Sequence, residues 1–264
     1  MNKTIFIGSF IIFLLFLTAV FADKIAPYHY NDQNINERLM PPTKKHILGT
    51  DELGRDVLSR MIFGTRISIS VGLIAVIISV IIGLTLGAVS GYFGGIVDNI
   101  IMRLVDIMLT IPVLFLILTL IVFLGPSIFN IMIVIGLTSW TEIARIVRAE
   151  VLKIKKEAFI DAARLIGLSE RRIIIRHILP NILAPVFVYM TFGISGAILI
   201  ESGLSFLGLG VQPPIPSWGN ILTSGKDYIH SAWWLILFPG LAIFIAVFSF
   251  NILGEGLRLS LIHI

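Results

Sequence analysis

The chain has 264 residues, of which 56% are hydrophobic and only 14% are charged, and its mean hydropathy is +0.97. Soluble domains carry roughly one quarter charged residues, so this composition excludes an ordinary soluble protein and indicates a polytopic membrane protein. The net charge of +4 comes largely from residues 148–176, where it is typical of a positive-inside loop, and we expect no nucleic-acid partner. With no cysteine, the chain has no disulfide framework and no thiolate chemistry.

The first apolar run extends from Thr4 to Ala22 and, at about nineteen residues, is long enough to cross a bilayer. The alternative is a signal peptide, because residues 20–22 (V-F-A) are similar to a cleavage site. A signal-peptide core usually has about 7–15 apolar residues, which is shorter than this run. The pattern favours a retained span that runs from the inside to the outside of the membrane.

The longest polar stretch extends from Asp23 to Arg66, with seven basic and six acidic residues, and on this topology it lies outside the membrane. Together with the first span it forms an N-terminal region, 1–66. Four charged residues in its distal half are spaced for local ion pairs: Asp51, Arg55, Asp56 and Arg60. A capped amphipathic helix held by these pairs is the favoured interpretation, and direct contact with a substrate is the alternative.

The second span runs from about Ile67 to Gly91 and opens a transmembrane region, 67–258, that contains the remaining spans. Glycines recur at intervals of four along this span and just beyond it: Gly83, Gly87, Gly91 and Gly95. On a helix, residues with this spacing lie on one face and let a neighbouring helix approach closely. We expect a packing face, and an interface that tilts during function is the alternative.

The third span ends at about Leu124, and Pro112 inside it predicts a kink because proline removes one helical hydrogen bond. The fourth span, about 128–147, ends in charged residues. Of these, Glu142 and Arg145 are three apart in the chain and are predicted to pair at the headgroup level. These charges would anchor the span where it enters the central polar loop.

The fifth span begins at Asn181 and holds an acidic residue, Glu201, near its far end. Because an acidic side chain is costly in hydrocarbon, Glu201 is predicted either to be hydrogen-bonded within the bundle or to line the conduit. Three tryptophans suit the membrane interface: Trp218, Trp233 and Trp234. The candidate residues for a translocation pathway or a stiff outer gate are Glu201, Pro213, Pro214 and Trp218. The sixth span, about 233–253, returns inside.

The central segment from Glu150 to Pro180 is polar and basic, with seven Lys/Arg and four Asp/Glu residues. Such a segment cannot lie in hydrocarbon, and its positive charge places it on the cytoplasmic side. Gly167 can adopt a positive φ and is predicted to end a first short helix, while Ser169 is placed to cap a second. The second helix is predicted to end at Leu179, because the next residue is proline.

Small side chains on one side of the first loop helix would let another protein pass closely over it: Ala158, Ala162, Ala163 and Gly167. Glu157 and Asp161 add charge at the edge of this small-residue strip. An amphipathic loop that rests on lipid headgroups is the alternative. A DNA-binding helix-turn-helix is disfavoured, because about thirty residues tethered between two spans leave no room for a third helix or a duplex.

D-A-A-R-L-I-G at 161–167, followed by H-I-L-P at 177–180, resembles the E-A-A-x-x-x-G-x9-I-x-L-P signature of the membrane permease subunits of binding-protein-dependent ABC importers. Asp161 stands where that signature usually has Glu, and His177 where it has Ile, and both departures suit the peptide and nickel branch. The run H-I-L-G-T-D-E-L-G-R-D-V-L-S-R at 46–60 is similar to a block of dipeptide, oligopeptide and nickel permeases.

This resemblance, which covers the chain from about His46 to the end of the last span, implies an all-α membrane permease with six transmembrane helices and both termini in the cytoplasm. The central loop, 148–180, would be the coupling helix that docks an ATPase subunit. The docking residues are then Glu157, Ala158, Asp161, Ala162, Ala163, Gly167, Leu179 and Pro180. The implied partners are a second homologous permease, two cytoplasmic ATPase subunits and an extracytoplasmic substrate-binding protein, at the inner membrane of a prokaryote.

The expected function is import of di- or oligopeptides by alternating access. Import of nickel or a metal chelate is the alternative within the family, and an ATP-independent channel or receptor subunit is an alternative outside it. The sequence has no G-x-x-x-x-G-K-[ST] phosphate loop, no metal-spaced histidine cluster and no nucleophile elbow. We therefore expect no enzymatic activity, no metal site and no cofactor in this chain, with ATP and Mg²⁺ bound by the partner subunits.

Overall fold

A computed structural model describes residues 3–262 of the chain. Within this range the fold is all helical, and its β-type pairing is limited to an isolated bridge between Thr50 and Asp56. The α-helices are α1 (Lys3–Val20), α2 (Ala22–Ile25), α3 (Val57–Phe93), α4 (Gly95–Thr110), α5 (Val113–Leu124), α6 (Ile128–Thr138), α7 (Trp140–Ile154), α8 (Ala158–Leu165), α9 (Glu170–Ile173), α10 (Leu179–Phe206), α11 (Trp218–Gly225) and α12 (Trp234–Ile262). The predicted all-α class is confirmed.

Four helical segments of the described chain are long and apolar enough to cross a membrane: Val57–Phe93, Ile128–Ile154, Glu170–Phe206 and Trp234–Ser260. The pair α4 and α5 passes the same test together but bends by 86° at its break, so it is a fifth, broken span or a re-entrant loop. A shorter apolar helix, Thr4–Val20, lies within α1. By length and composition the described residues give four or five spans, and the predicted count of six is not fully confirmed.

The second span starts earlier than predicted because its first turn is capped. α3 begins at Val57, whereas the apolar pattern predicted a start at Ile67. The Asp56 carboxylate accepts hydrogen bonds from the Ser59 N–H (2.8 Å) and from the Ser59 hydroxyl (2.7 Å), which satisfies donors at the helix start. The helix therefore extends into the polar segment that precedes the apolar run.

Two prolines act differently from the predictions. Pro112 breaks the third span instead of kinking it, because the residue before a proline is pushed out of helical geometry and Ile111 is extended. Pro180 does not end a helix at Leu179. A wider π-helical turn, Ile174–Ile178, precedes it, and Pro180 stands in the first turn of α10, where a missing N–H is tolerated. Helix α9, this turn and α10 therefore form one span.

The glycine face of α3 packs directly against α7. A Cβ atom added at Gly83, Gly87 or Gly91 would lie only 2.7, 2.5 or 2.9 Å from the nearest atom of α7. Glycine at these positions therefore allows a close helix contact of the kind common in membranes. Gly95 does not share this role, because it begins α4 with a φ of +54° and nothing lies within 4 Å of its Cβ position, so its predicted packing role is wrong.

We expect Gly87→Ala to destabilise the chain by about 1–3 kcal/mol, since the added methyl group would overpack a tight contact. That methyl would lie 2.5 Å from the Ala144 carbonyl oxygen, a backbone atom that cannot rotate away. Thermal unfolding of the detergent-purified protein measures the effect. Gly203→Ala in α10 is the matched control, because no atom lies within 4 Å of its Cβ position. Equal shifts of the melting temperature for both variants would contradict this interpretation.

Ion pairs attach α4 to α7. Arg145 donates to Asp106 at 2.5 Å, and Arg148 donates through two nitrogens to Asp98 at 2.6 and 2.5 Å. The predicted Glu142–Arg145 pair is wrong, because the Arg145 guanidinium donates instead to the Asp106 carboxylate of the neighbouring helix. Glu142 is exposed on α7.

Two of the three tryptophans predicted at the membrane interface lie inside the protein. Trp218 and Trp234 are 1% and 2% exposed, and their indole N–H groups donate to the carbonyls of Met61 (3.3 Å) and Thr50 (3.0 Å). Neither indole therefore faces lipid headgroups, since the protein supplies the polar partner that the headgroup region would otherwise provide. Trp233 alone of the three stays half exposed, at 50%.

The charged residues before and within the first turn of α3 are buried, where an amphipathic helix would leave them exposed: Asp51, Arg55, Asp56 and Arg60. Local ion pairs do form among them, with Asp51 bonded to Arg55 at 2.6 Å. His46 bridges Asp56 (2.9 Å) and Glu37 (3.3 Å), and the Lys45 ammonium beside Glu37 holds the pKa of that carboxyl below its ordinary value. The N-terminal end of α3 is thus anchored by a network of charges.

Candidate functional site

The central loop folds into a short helix, α8, fixed against the ends of the spans. Ile160 and Ala163 face inward and pack in an apolar cluster with residues of α3, α7, α9 and α10. Gly167 ends the helix at a φ of +78°, as its predicted role required. The N–H groups of Leu168 and Gly167 donate to the carbonyls of Ala163 (3.2 Å) and Arg164 (2.9 Å), a Schellman arrangement that closes the C-terminus of α8.

Side chains around Tyr92, at the end of α3, hold the same loop in place. The Tyr92 hydroxyl bonds to the Glu170 carboxylate, and the Lys155 ammonium donates to the Tyr92 carbonyl. Lys155 and Arg164 also lie over the Tyr92 ring, 5.4 and 5.9 Å from its centroid, within the range of a cation–π contact. A displacement of the loop would therefore act directly on α3.

The opposite side of α8 is exposed and is more apolar than the sequence predicted. Three large residues absent from the predicted strip stand out from it, with exposures of 45%, 88% and 75%: Phe159, Leu165 and Ile166. With Ala158 and Ala162, which are exposed as predicted, they form the exposed face of α8. The sequence could have revealed this face, because Ala158, Phe159, Leu165 and Ile166 each lie three or four residues from Ala162. On a helix this spacing places the five residues together, opposite Ile160 and Ala163.

Only some of the other predicted docking residues lie at the surface beside the exposed face of α8. Glu157, Asp161 and Gly167 are exposed beside this face. Ala163 is buried at 4% exposure, so its place in the surface strip is wrong: α8 packs with that side inward. Leu179 and Pro180 lie at the start of α10, where Leu179 packs against the inner cluster and Pro180 is exposed.

A cavity of about 420 Å³ lies within the membrane-spanning part, between α3, the α4–α5 break, the α6–α7 break and α10. Both helix breaks contribute to its wall, at Ile111–Pro112 and at Ser139. Its lining is mostly apolar, with a few hydroxyl groups and one carboxyl group, that of Glu142. Discontinuous membrane helices place free backbone polar groups beside a cavity, which is typical of transport sites.

The residues predicted for a pathway or gate do not line this cavity. Glu201 has no exposed surface; its Oε1 accepts a hydrogen bond from the Ser205 hydroxyl at 2.7 Å, and its Oε2 is unpartnered among the described residues. Trp218 is buried against α3, and Pro213 and Pro214 are exposed in the loop between α10 and α11. A role in an outer gate stays a prediction for these four residues.

Two family models match the chain: the binding-protein-dependent transport system inner membrane component over residues 83–261, and the N-terminal TM domain of oligopeptide transport permease C over residues 1–42. The dipeptide transport system permease protein DppC of Alkalihalophilus pseudofirmus is 42% identical over 257 residues, which cover 97% of this chain and 84% of that protein. DppC of Escherichia coli (strain K12) is 44% identical over 263 residues, 97% of this chain and 88% of that protein.

Among solved structures, a chain of the inward-facing MetNI methionine ABC transporter is similar in fold, with a TM-score of 0.60 at 19% sequence identity over 76% of this chain and 96% of that chain. The resemblance seen in the loop signature thus extends along the molecule, in sequence and in fold. This chain belongs to the family of binding-protein-dependent transport system inner membrane components, the permeases of ABC importers.

Proposed function

We propose that this chain is a permease subunit of an ATP-driven importer that moves di- or oligopeptides across the cytoplasmic membrane. The observation that carries the proposal is 42–44% identity to dipeptide permeases along 97% of the chain. Import works by alternating access, in which the spans expose the cavity to one side of the membrane and then to the other.

The proposed partners are a second, homologous permease, two cytoplasmic ATPase subunits and an extracytoplasmic substrate-binding protein. ATP and Mg²⁺ bind to the ATPase subunits, and this chain contributes neither catalysis nor a cofactor site. Both termini and the central loop lie in the cytoplasm, in agreement with the basic residues that flank α8. The exposed face of α8 is the docking site for one ATPase subunit.

The attachment of α8 supports a coupling mechanism. The inner side of α8 is packed through Ile160, and its flanking residues are tied to α3 around Tyr92. A movement of the docked ATPase would therefore move α3 and, through the glycine contact, α7 with it. Both helices line the cavity, so the movement reaches the place where a substrate would pass.

ATP-dependent uptake of a labelled peptide mixture and of nickel, measured side by side in cells with and without this chain, tests the proposal. We expect peptide uptake to be lost without the chain and nickel uptake to be unchanged. Loss of nickel uptake alone would move the function to the metal branch. Uptake that persists without ATP would instead favour a channel or receptor subunit.

A further inference from the structure

Among the residues that the structure describes, Glu142 is the one with a formal charge in the wall of the central cavity. It is exposed, and the described residues offer its carboxylate no hydrogen bond and no ion pair, because the nearby Arg145 is bonded to Asp106. Several other polar groups of the wall are already occupied within the protein: the Ser79 hydroxyl donates to the Gly136 carbonyl at 2.9 Å, and the Thr138 hydroxyl to the Val134 carbonyl at 2.8 Å.

The position of Glu142 makes this charge costly unless it has a function. It stands 14 residues after Ile128 in this span and six residues before Arg148, where the polar central loop begins. At 1.5 Å per residue Glu142 therefore lies about 9 Å from the start of the loop, on the loop side of the helix break at Ser139. An ionisable residue within a span faces a wet cavity or a partner and commonly marks a substrate pathway.

The cavity has the properties of a site for a short peptide. Its volume of about 420 Å³ falls in the range of small-molecule sites, roughly 300–1,000 Å³, and its mostly apolar wall would contact side chains of many kinds. Peptides of different sequence share an α-ammonium group, and a charge of this kind is costly to bring into a bilayer unless it is paired. The Glu142 carboxylate in the cavity wall is the complementary charge.

We propose that Glu142 binds the N-terminal ammonium group of the peptide during its passage through the membrane. This inference rests on the proposed function, since it requires that the cargo be a peptide. The Ser139 and Tyr189 hydroxyls lie in the same wall and are available to the peptide carbonyls. One charge contact with few hydrogen bonds suits a transient site, because a transport site must also release its substrate.

The test uses the absence of cysteine from this chain, which makes Glu142→Cys the one thiol of the subunit. The complete transporter is reconstituted in vesicles with its binding protein and a labelled peptide. Uptake is then measured before and after reaction with 2-sulfonatoethyl methanethiosulfonate, which restores a negative charge, or with hydroxyethyl methanethiosulfonate, which adds a neutral group of similar length. The unsubstituted transporter treated with both reagents controls for thiols of the partners.

We expect Glu142→Cys and Glu142→Gln to lower the uptake rate about tenfold, with no change in the concentration of loaded binding protein that gives half-maximal uptake. The sulfonate adduct should restore most of the rate, and the neutral adduct should not. Glu255→Cys is the matched control, since Glu255 is also an exposed glutamate but lies on α12, outside the cavity wall, and uptake by this variant should stay normal throughout.

Normal uptake by Glu142→Gln, or equal recovery with the charged and the neutral adduct, would overturn this inference and leave the proposed function intact. If the unsubstituted transporter takes up no peptide, the proposed function and this inference fail together. The amount of chain in the vesicles and its association with the ATPase subunits show whether a variant has failed to assemble. Charge-specific recovery separates a role of the negative charge of Glu142 from a role of side-chain size, which the neutral adduct would serve equally well.

Discussion

Ala162→Arg is expected to abolish association of the ATPase subunits with this chain and to leave its insertion into the membrane intact. Ala162 stands in the middle of the exposed face of α8, between Phe159 and Leu165. An arginine side chain is far longer than the methyl group that it replaces and would hold the partner away from this face, and loss of a central hot-spot contact costs about 2 kcal/mol or more. Copurification of the ATPase subunits with the detergent-solubilised chain measures the effect, and an immunoblot of membranes measures insertion.

Ser260→Arg is the matched control, because Ser260 is also exposed and lies near the end of α12. This substitution adds the same charge at a position away from α8. We expect normal association for this variant. Gly167 is less suitable for the same test: its φ of +78° means that any side chain strains the turn, so lost association would not separate docking from distortion. Retention of the ATPase subunits by Ala162→Arg would refute the docking assignment.

Features that depend on local sequence could be predicted well. Long apolar runs predicted the all-α class, because a span must satisfy its backbone hydrogen bonds internally. The spacing of Gly83, Gly87 and Gly91 predicted one close-packed face, and α7 lies against it. Gly167 was predicted to end a helix and does so, because few other residues adopt its positive φ.

Features that depend on contacts between distant residues were predicted poorly. The spacing of Glu142 and Arg145 favoured an ion pair within one helix, but Arg145 instead pairs with Asp106 from α4. Small side chains suggested that Ala163 was exposed, yet which side of α8 faces inward is decided by the packing of Ile160. The cavity was missed altogether, because breaks in two separate spans must come together to form it.

The buried charges at the N-terminal end of α3 also depend on contacts between distant residues. The spacing of Asp51, Arg55 and Arg60 predicted local ion pairs, and these form. Their burial could not be predicted, because it is produced by other segments of the polar region and by the start of α12, where Trp234 bonds to the Thr50 carbonyl. Burial changes the energetic role of these charges, since removing one partner of a buried ion pair is far more costly than at the surface.

Asp51→Ala is accordingly expected to destabilise the protein by about 3–5 kcal/mol, a large part of the 5–15 kcal/mol that stabilises a typical domain. Asp51 is 1% exposed; its Oδ2 accepts from the Arg55 Nε at 2.6 Å and lies 3.4 Å from the Arg60 Nε. Its Oδ1 accepts from the backbone N–H groups of Leu53 (2.9 Å) and Arg55 (3.0 Å). Thermal unfolding of the detergent-purified chain measures the loss.

The matched control removes a carboxylate from an exposed ion pair. Asp23 bonds to Arg66 at 2.7 Å, but their side chains are 67% and 35% exposed, and Arg66 keeps its bonds to two carbonyls of α1. Asp23→Ala should therefore lower the melting temperature much less than Asp51→Ala does, because solvent screens an exposed ion pair. Asp51→Asn, which keeps an oxygen for the two N–H groups but loses the charge, should fall between the two. If Asp51→Ala and Asp23→Ala lower the melting temperature equally, the charges at the N-terminal end of α3 do not stabilise the fold through their burial.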